Sequence, residues 1–221
     1  VIKSDGSVQV WGDSDKGGTD PSIASDVVKI VSTNSAFAAI KSDGSVKTWG
    51  CSDTDTGNPC YGDQGGSDPG ITSGVVDIYS TEQAFAAVMS DGSVKAWGSS
   101  AHGGTDPGIT TGVVKIFSTM KSFAALKSDG SVQVWGDSNY GGTNPGLTSG
   151  VVNIYSTQRA FAALKDDGSV KAWGTSGFGG TNPGITSGVV SITAGTGAFA
   201  ALKSDGSVQA WGGSWGGGDG P

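Results

Sequence analysis

The stretch AFAALKSDGSVQAWG, residues 198–212, decides the fold, because near-copies of it recur along the chain. The copies end in Trp49, Trp97, Trp135 and Trp173, and a shortened one opens the chain and ends in Trp11. In the copy at Ser42-Asp43-Gly44-Ser45 the Asp-Gly pair is a turn signal, because glycine accepts positive φ without a Cβ clash. Two hairpin registers are open to it. A two-residue loop would pair Lys41 with Val46 and mix charge into both faces. A three-residue loop, with Gly44 as the left-handed residue of a bulge, pairs Ile40 with Val46, Ala38 with Thr48 and Phe37 with Trp49. One face then reads Ala36, Ala38, Ile40, Val46, Thr48, and the other Phe37, Ala39, Lys41, Lys47, Trp49. A slip of one residue would scramble both faces, so the bulged turn is the expected one.

Phe37 and Trp49 then form a cross-strand aromatic pair, and the pair recurs as Phe85 with Trp97, Phe123 with Trp135, Phe161 with Trp173 and Phe199 with Trp211. Such a pair contributes about 0.2–1 kcal/mol relative to alanines. Repetition of the pair assigns these ten aromatics a structural role, packing one repeat against the next. A hairpin with two apolar faces cannot stand alone in water, and its alanines expect another sheet close by on each side.

The Asp-Gly turns fall at Asp5, Asp43, Asp91, Asp129, Asp167 and Asp205, in steps of 38 residues except for one of 48. Each period opens with a β-branched and aromatic run: Val27–Val31, Val75–Tyr79, Val113–Phe117, Val151–Tyr155 and Val189–Thr193. The chain is therefore expected to be all-β and a single repeat domain over 1–221, with a partial repeat at 1–26 and repeats at 27–74, 75–112, 113–150, 151–188 and 189–221. No helical period is sustained anywhere. Between the hairpins lie Gly-Gly and Asp/Asn-Pro turns, as in Gly141-Gly142-Thr143-Asn144-Pro145-Gly146, and Ile23, Ile71, Ile109, Leu147 and Ile185 after them are candidates for short edge strands. Forty glycines in 221 residues, spread periodically, suit many tight turns. Because Val1 falls in mid-repeat, the sequence reads as a processed product or as part of a longer array.

The long step carries Cys51 and Cys60, the two cysteines of the chain. A disulfide between them would staple the insertion and implies an oxidising, extracellular setting. Thirteen Lys and Arg against twenty Asp and Glu give a net charge of −7. With no basic run, that balance points away from nucleic acid and from anionic membrane surfaces. No apolar run approaches the roughly 20 residues a membrane-spanning helix needs, so no membrane insertion is expected.

The string Leu126-Lys127-Ser128-Asp129-Gly130-Ser131-Val132-Gln133-Val134-Trp135-Gly136, with Pro107 to Ile116 ahead of it, resembles the repeat of the regulator of chromosome condensation family. The resemblance covers nearly the whole chain and recurs six times. It implies a β-propeller-like array, a six-bladed ring being the expected closed form and an open superhelical stack of hairpins the alternative. The period is shorter than that family's, so the outermost strand of each blade is expected to be shortened or lost.

Residues for chemistry are few. His102 is the single histidine, and no triad or acid–base pair can be assembled around it, so no catalytic residue and no enzyme activity is expected. Asp13 with Asp15, and Asp53 with Asp55, alternate carboxylates ahead of a glycine, a spacing that hard-cation sites use, and make calcium the one candidate ion. The loop residues Tyr61, His102, Tyr140, Phe178 and Trp215 break the repeat pattern and are the candidate contacts to a ligand or partner. Their reading is a non-enzymatic scaffold of a cell surface or the extracellular space, presenting loops to a protein partner or self-assembling. The alternative is a lectin-like propeller that stacks glycans on these aromatics.

Overall fold

The Asp-Gly turns form as the periodicity requires. Gly44 sits at φ 76° and its N–H donates to Lys41 O at 2.9 Å, while Lys41 N–H donates to Ser45 O at 3.0 Å. The two strands that leave this turn pair Ile40 with Val46, Ala38 with Thr48 and Phe37 with Trp49. Glycine is required here twice over, since a Cβ at Gly44 would also lie 2.6 Å from the backbone nitrogen of Gly74 in the next repeat.

The computed structural model describes residues 1–51 and 62–214. Among them, fifteen strands form five three-stranded antiparallel sheets, each in simple sequence order. The first sheet holds β1 (Val27–Ser32), β2 (Ala36–Lys41) and β3 (Val46–Gly50). The second holds β4 (Val75–Ser80), β5 (Ala84–Met89) and β6 (Val94–Gly98). The third holds β7 (Val113–Ser118), β8 (Ser122–Lys127) and β9 (Val132–Gly136), and the fourth β10 (Val151–Ser156), β11 (Ala160–Lys165) and β12 (Val170–Gly174). The fifth holds β13 (Val189–Ala194), β14 (Ala198–Lys203) and β15 (Val208–Gly212). The opening partial repeat is reduced to one bridge between Ile2 and Val8. The chain divides into two compact units, 1–111 and 112–221.

Three features depart from the sequence reading. First, the candidate edge strands do not form. Ile71 O accepts from Val46 N–H at 3.0 Å, and Ile109, Leu147 and Ile185 repeat that bond to Val94, Val132 and Val170. Ile71 lies between Gly70 at φ 67° and Gly74 at φ 82°, which leaves too few extended residues for a ladder. Second, each leading strand carries a bulge, between Val27 and Lys29 in the first sheet, which turns Val28 and its counterparts Val76, Val114, Val152 and Val190 out to solvent. Third, single 3₁₀ turns follow third-strand positions among the described residues: Ser14–Lys16, Ser100–His102, Ser138–Tyr140 and Ser176–Phe178. Each is stopped by a glycine in the left-handed region, Gly141 at φ 95° for example.

The core is a series of identical sandwiches. In unit 1, Ala36, Ala38, Ile40 and Val46 of one repeat pack against Ile78, Phe85, Ala87 and Trp97 of the next. In unit 2, Ala162, Leu164 and Val170 pack in the same way against Ile192, Phe199 and Trp211. The five Phe–Trp pairs are stacked at 5.1–5.3 Å between ring centroids. Their tryptophans are buried, and Phe85, Phe123, Phe161 and Phe199 are sealed almost completely. Trp11 is the exception at 74 % exposed, because the partial repeat has no phenylalanine strand to stack on it.

Hydrogen bonds lock one repeat to the next. Trp49, Trp97, Trp173 and Trp211 donate Nε1–H to the carbonyls of Gly17, Gly65, Gly141 and Gly179, each 32 positions earlier, at 3.0–3.3 Å. At the turn end, Val75, Val151 and Val189 donate their N–H to Gly44, Gly130 and Gly168 at 3.0 Å.

Candidate functional site

The two ends of every sheet differ. One end carries the Asp-Gly-Ser turn, which is repeated with almost no change. Its carboxylates accept from the N–H of the serine two residues on, as Asp129 does from Ser131 at 2.9 Å. Hydrogen bonds from that serine's hydroxyl and backbone hold the six turn aspartates below the ordinary carboxylate pKa.

The other end carries the variation. The residue before the second strand reads Ser35, Gln83, Lys121, Arg159, Gly197, and the residue after the third reads Cys51, Ser99, Asp137, Thr175, Gly213. The two positions are neighbours, since Asp137 N–H donates to Lys121 O and Thr175 N–H to Arg159 O. The last residue of the 3₁₀ turn varies as well: Lys16, His102, Tyr140, Phe178. Positions that differ between otherwise copied repeats therefore gather at one end of each sheet, on a backbone that does not change.

In unit 2 this end builds a row of cations and rings. The Lys121 ammonium lies 5.1 Å from the centroid of the Tyr140 ring, and the Arg159 guanidinium 5.0 Å from it. Arg159 also stands 4.7 Å from the Phe178 ring, so it joins two aromatic loops of successive repeats. Such contacts are worth about 0.5–1 kcal/mol at exposed sites and more when desolvated. Among the described residues neither Lys121 nor Arg159 has a carboxylate within ion-pair distance. Arg159 Nε is buried without a hydrogen-bond partner.

The row is rigidly mounted. Thr119 Oγ1 donates to Tyr140 O and Thr157 Oγ1 to Phe178 O, both at 2.9 Å, which ties each 3₁₀ turn to the loop that carries the cation. Thr157 Oγ1 in turn accepts from Ala160 N–H at 3.1 Å. Successive loops are joined through Met120 N–H to Gln158 O at 3.0 Å and Gln158 N–H to Thr196 O at 3.1 Å. Thr175 Oγ1 donates to Asn139 O and couples the two 3₁₀ turns.

The structure thus brings Tyr140 and Phe178 together and adds Lys121 and Arg159, which the sequence reading passed over. His102, a candidate contact in the sequence, occupies the corresponding turn in unit 1 but is buried, its Nδ1 3.0 Å from Ser99 Oγ. The turn folds the ring inward. Asp13 Oδ1 accepts from Asp15 N–H at 3.0 Å and so caps its 3₁₀ turn. No group of three or more metal-ligating side chains exists among the described residues, and two carboxylates, one of them capping a turn, do not fit a calcium site. Asp53, Asp55, Cys60, Tyr61 and Trp215 lie outside the described residues. Cys51 is 2 % exposed, and its N–H donates to Ser35 O at 2.9 Å. Among the described residues no helix is long and apolar enough to cross a membrane.

No family model and no curated protein matches the chain. Solved structures do resemble it. Prp20p of Saccharomyces cerevisiae, in a structure titled with its binding properties to Gsp1p and histones, aligns at TM-score 0.56 and 18 % identity over 91 % of this chain and 65 % of its own. The ectodomain of the Physcomitrella patens receptor kinase CR4 aligns at TM-score 0.56 and 15 % identity, over 84 % of this chain and 52 % of its own. The CRINKLY ectodomain of the Arabidopsis thaliana receptor kinase ACR4 aligns at TM-score 0.56 and 16 % identity, over 89 % and 68 %. The chain spans between half and about two thirds of the length of these proteins. At such identities the likeness defines the fold alone: an all-β, β-propeller-like repeat array.

Proposed function

We propose that this protein is a non-enzymatic binding scaffold that presents the variable loop end of its sheets to a protein partner, outside the cell or at its surface. The observation that carries this reading is the row Lys121–Tyr140–Arg159–Phe178, two cations with no carboxylate partner among the described residues, held on rings by an otherwise repetitive frame. Arg and Tyr are the residues that anchor protein interfaces, and a frame that fixes them in advance lowers the ordering cost of binding. The whole chain's net charge of −7 argues against nucleic acid, and two cations without a carboxylate partner among the described residues favour a short acidic protein segment. Prp20p, a likeness in fold, is described by what it binds, and also appears bound to Kap60. The two plant ectodomains support the extracellular setting, as does the expected pairing of Cys51 with Cys60. Stacking of a glycan is less favoured, because the Tyr140 ring already carries two cations that a sugar would displace.

The test is selection from a displayed random-peptide library on the full chain. Enrichment of acidic peptides, lost in the Lys121→Ala/Arg159→Ala double variant, is the expected result. No enrichment, or enrichment indifferent to that variant, overturns the reading. Glycan-array binding lost in Tyr140→Ala would replace it with the lectin.

A further inference from the structure

Arg159 is the one arginine of the chain, against twelve lysines. Its counterparts in the other repeats are Ser35, Gln83, Lys121 and Gly197, so the guanidinium is no part of the copied frame. The frame nonetheless holds it at both ends. At the root, Arg159 N–H donates to Thr157 Oγ1 at 3.4 Å and Arg159 O accepts from Thr175 N–H at 3.0 Å. At the tip, the guanidinium carbon stands 5.0 Å from the Tyr140 ring centroid and 4.7 Å from that of Phe178. Nε is sealed from solvent. The two terminal nitrogens are not sealed, and among the described residues they take no hydrogen bond. The rings attract the cation but offer it no oxygen acceptor.

We infer that Arg159 sets the specificity of the loop row: it takes one carboxylate of the partner end-on through its two terminal nitrogens, and Lys121 adds attraction without selection. The inference rests on the reading of the row as a site for an acidic protein segment, and it names the group that segment must offer. Donors fixed in one plane match the two oxygens of a carboxylate, whereas an ammonium is a point charge that any anion satisfies. Rings at the tip and backbone bonds at the root set the direction of the fork beforehand, so little order is lost when the ligand arrives. Burial of Nε leaves the terminal edge as the side from which an oxygen can approach. The whole chain's net charge of −7 opposes a phosphate dianion more than a carboxylate monoanion.

Because Arg159 is the only arginine, its side-chain Nε–H gives a single resonance in an isotope-labelled sample of the full chain, and titration reads the site directly. The probe is the peptide Gly-Glu-Gly-Glu-Gly, acetylated and amidated so that side chains supply its only carboxylates. It is expected to move the Arg159 resonance, whereas the same capped peptide with Gln for Glu does not. The Gln peptide with a free C-terminus separates the two sources of a carboxylate, side chain and chain end. Arg159→Lys, which keeps the charge, is expected to weaken binding about tenfold, and Lys121→Ala only about threefold. Lys165→Gln, at the opposite turn end, removes a charge and leaves binding unchanged. Equal binding by Arg159→Lys, or binding that leaves the Arg159 resonance in place, overturns the inference while the acidic-segment reading stands. No binding of any carboxylate peptide to the unsubstituted chain overturns both. Tighter binding of a phosphoserine counterpart overturns the choice of carboxylate.

Discussion

Trp173 donates its indole N–H to the carbonyl of Gly141, 32 positions earlier, at 3.0 Å, while a Cβ on Gly141 would lie 2.7 Å from the Phe161 ring. One glycine therefore accepts the hydrogen bond of one aromatic and makes room for the other. Gly141→Ala should be costly on both counts, by about 1–3 kcal/mol for overpacking and about 1–2 kcal/mol for the positive φ. Gly146 is the control, at φ 74° with nothing within 4 Å of its Cβ. Urea denaturation of Gly146→Ala should show the backbone part alone.

Thr157 should matter for the loop more than for the core. Thr157→Val removes the hydroxyl that bonds Phe178 O and Ala160 N–H, leaving buried groups unsatisfied at about 1–3 kcal/mol. Hydrogen exchange should quicken at Ala160 and around the 176–178 turn, and Thr157→Ser should restore protection. A variant that melts lower with no local change in exchange would contradict the staple.

Acid should weaken the turn end. Each turn aspartate has its folded pKa depressed below the unfolded value of about 3.9. The stabilisation is then present above that value and fades as pH falls through the lower folded pKa. All six are fully exposed to solvent, so each contributes little, but they titrate over the same range and act together. Melting temperature should be flat above about pH 5, one unit above that reference, and fall below about pH 4, where the aspartates begin to protonate, and Asp129→Asn should flatten that slope slightly.

The cysteine expectation has a direct reading. Intact mass under non-reducing conditions should be two hydrogen atoms lower than after reduction, with Cys51 and Cys60 in one linked peptide after digestion. Two free thiols would remove the main sequence argument for an oxidising compartment.

What could be read beforehand was local. The three-residue turn, the Ile40–Val46 register and the stacked Phe37–Trp49 pair follow from alternation around one Asp-Gly, because a hairpin's faces are set within a dozen residues. The bulge at Val28 was hidden, since Val27-Val28-Lys29-Ile30 carries no residue that marks an extra position. Burial of His102 escaped notice because a one-turn 3₁₀ element has no periodicity to detect. Tyr140 and Phe178 were legible as breaks in the repeat, but Arg159 was not. Its importance comes from standing between two loops 38 residues apart, which only the packing of one repeat on the next creates.

Within each unit the Val-to-Gly backbone bond and the Trp-to-Gly indole bond join one repeat to its predecessor through the same atoms. A duplication or deletion of 38 residues would hence meet a ready-made junction wherever it fell in phase. Copy number is the dimension along which such a gene can change most freely, with decoration of the loop ends free to diverge afterwards.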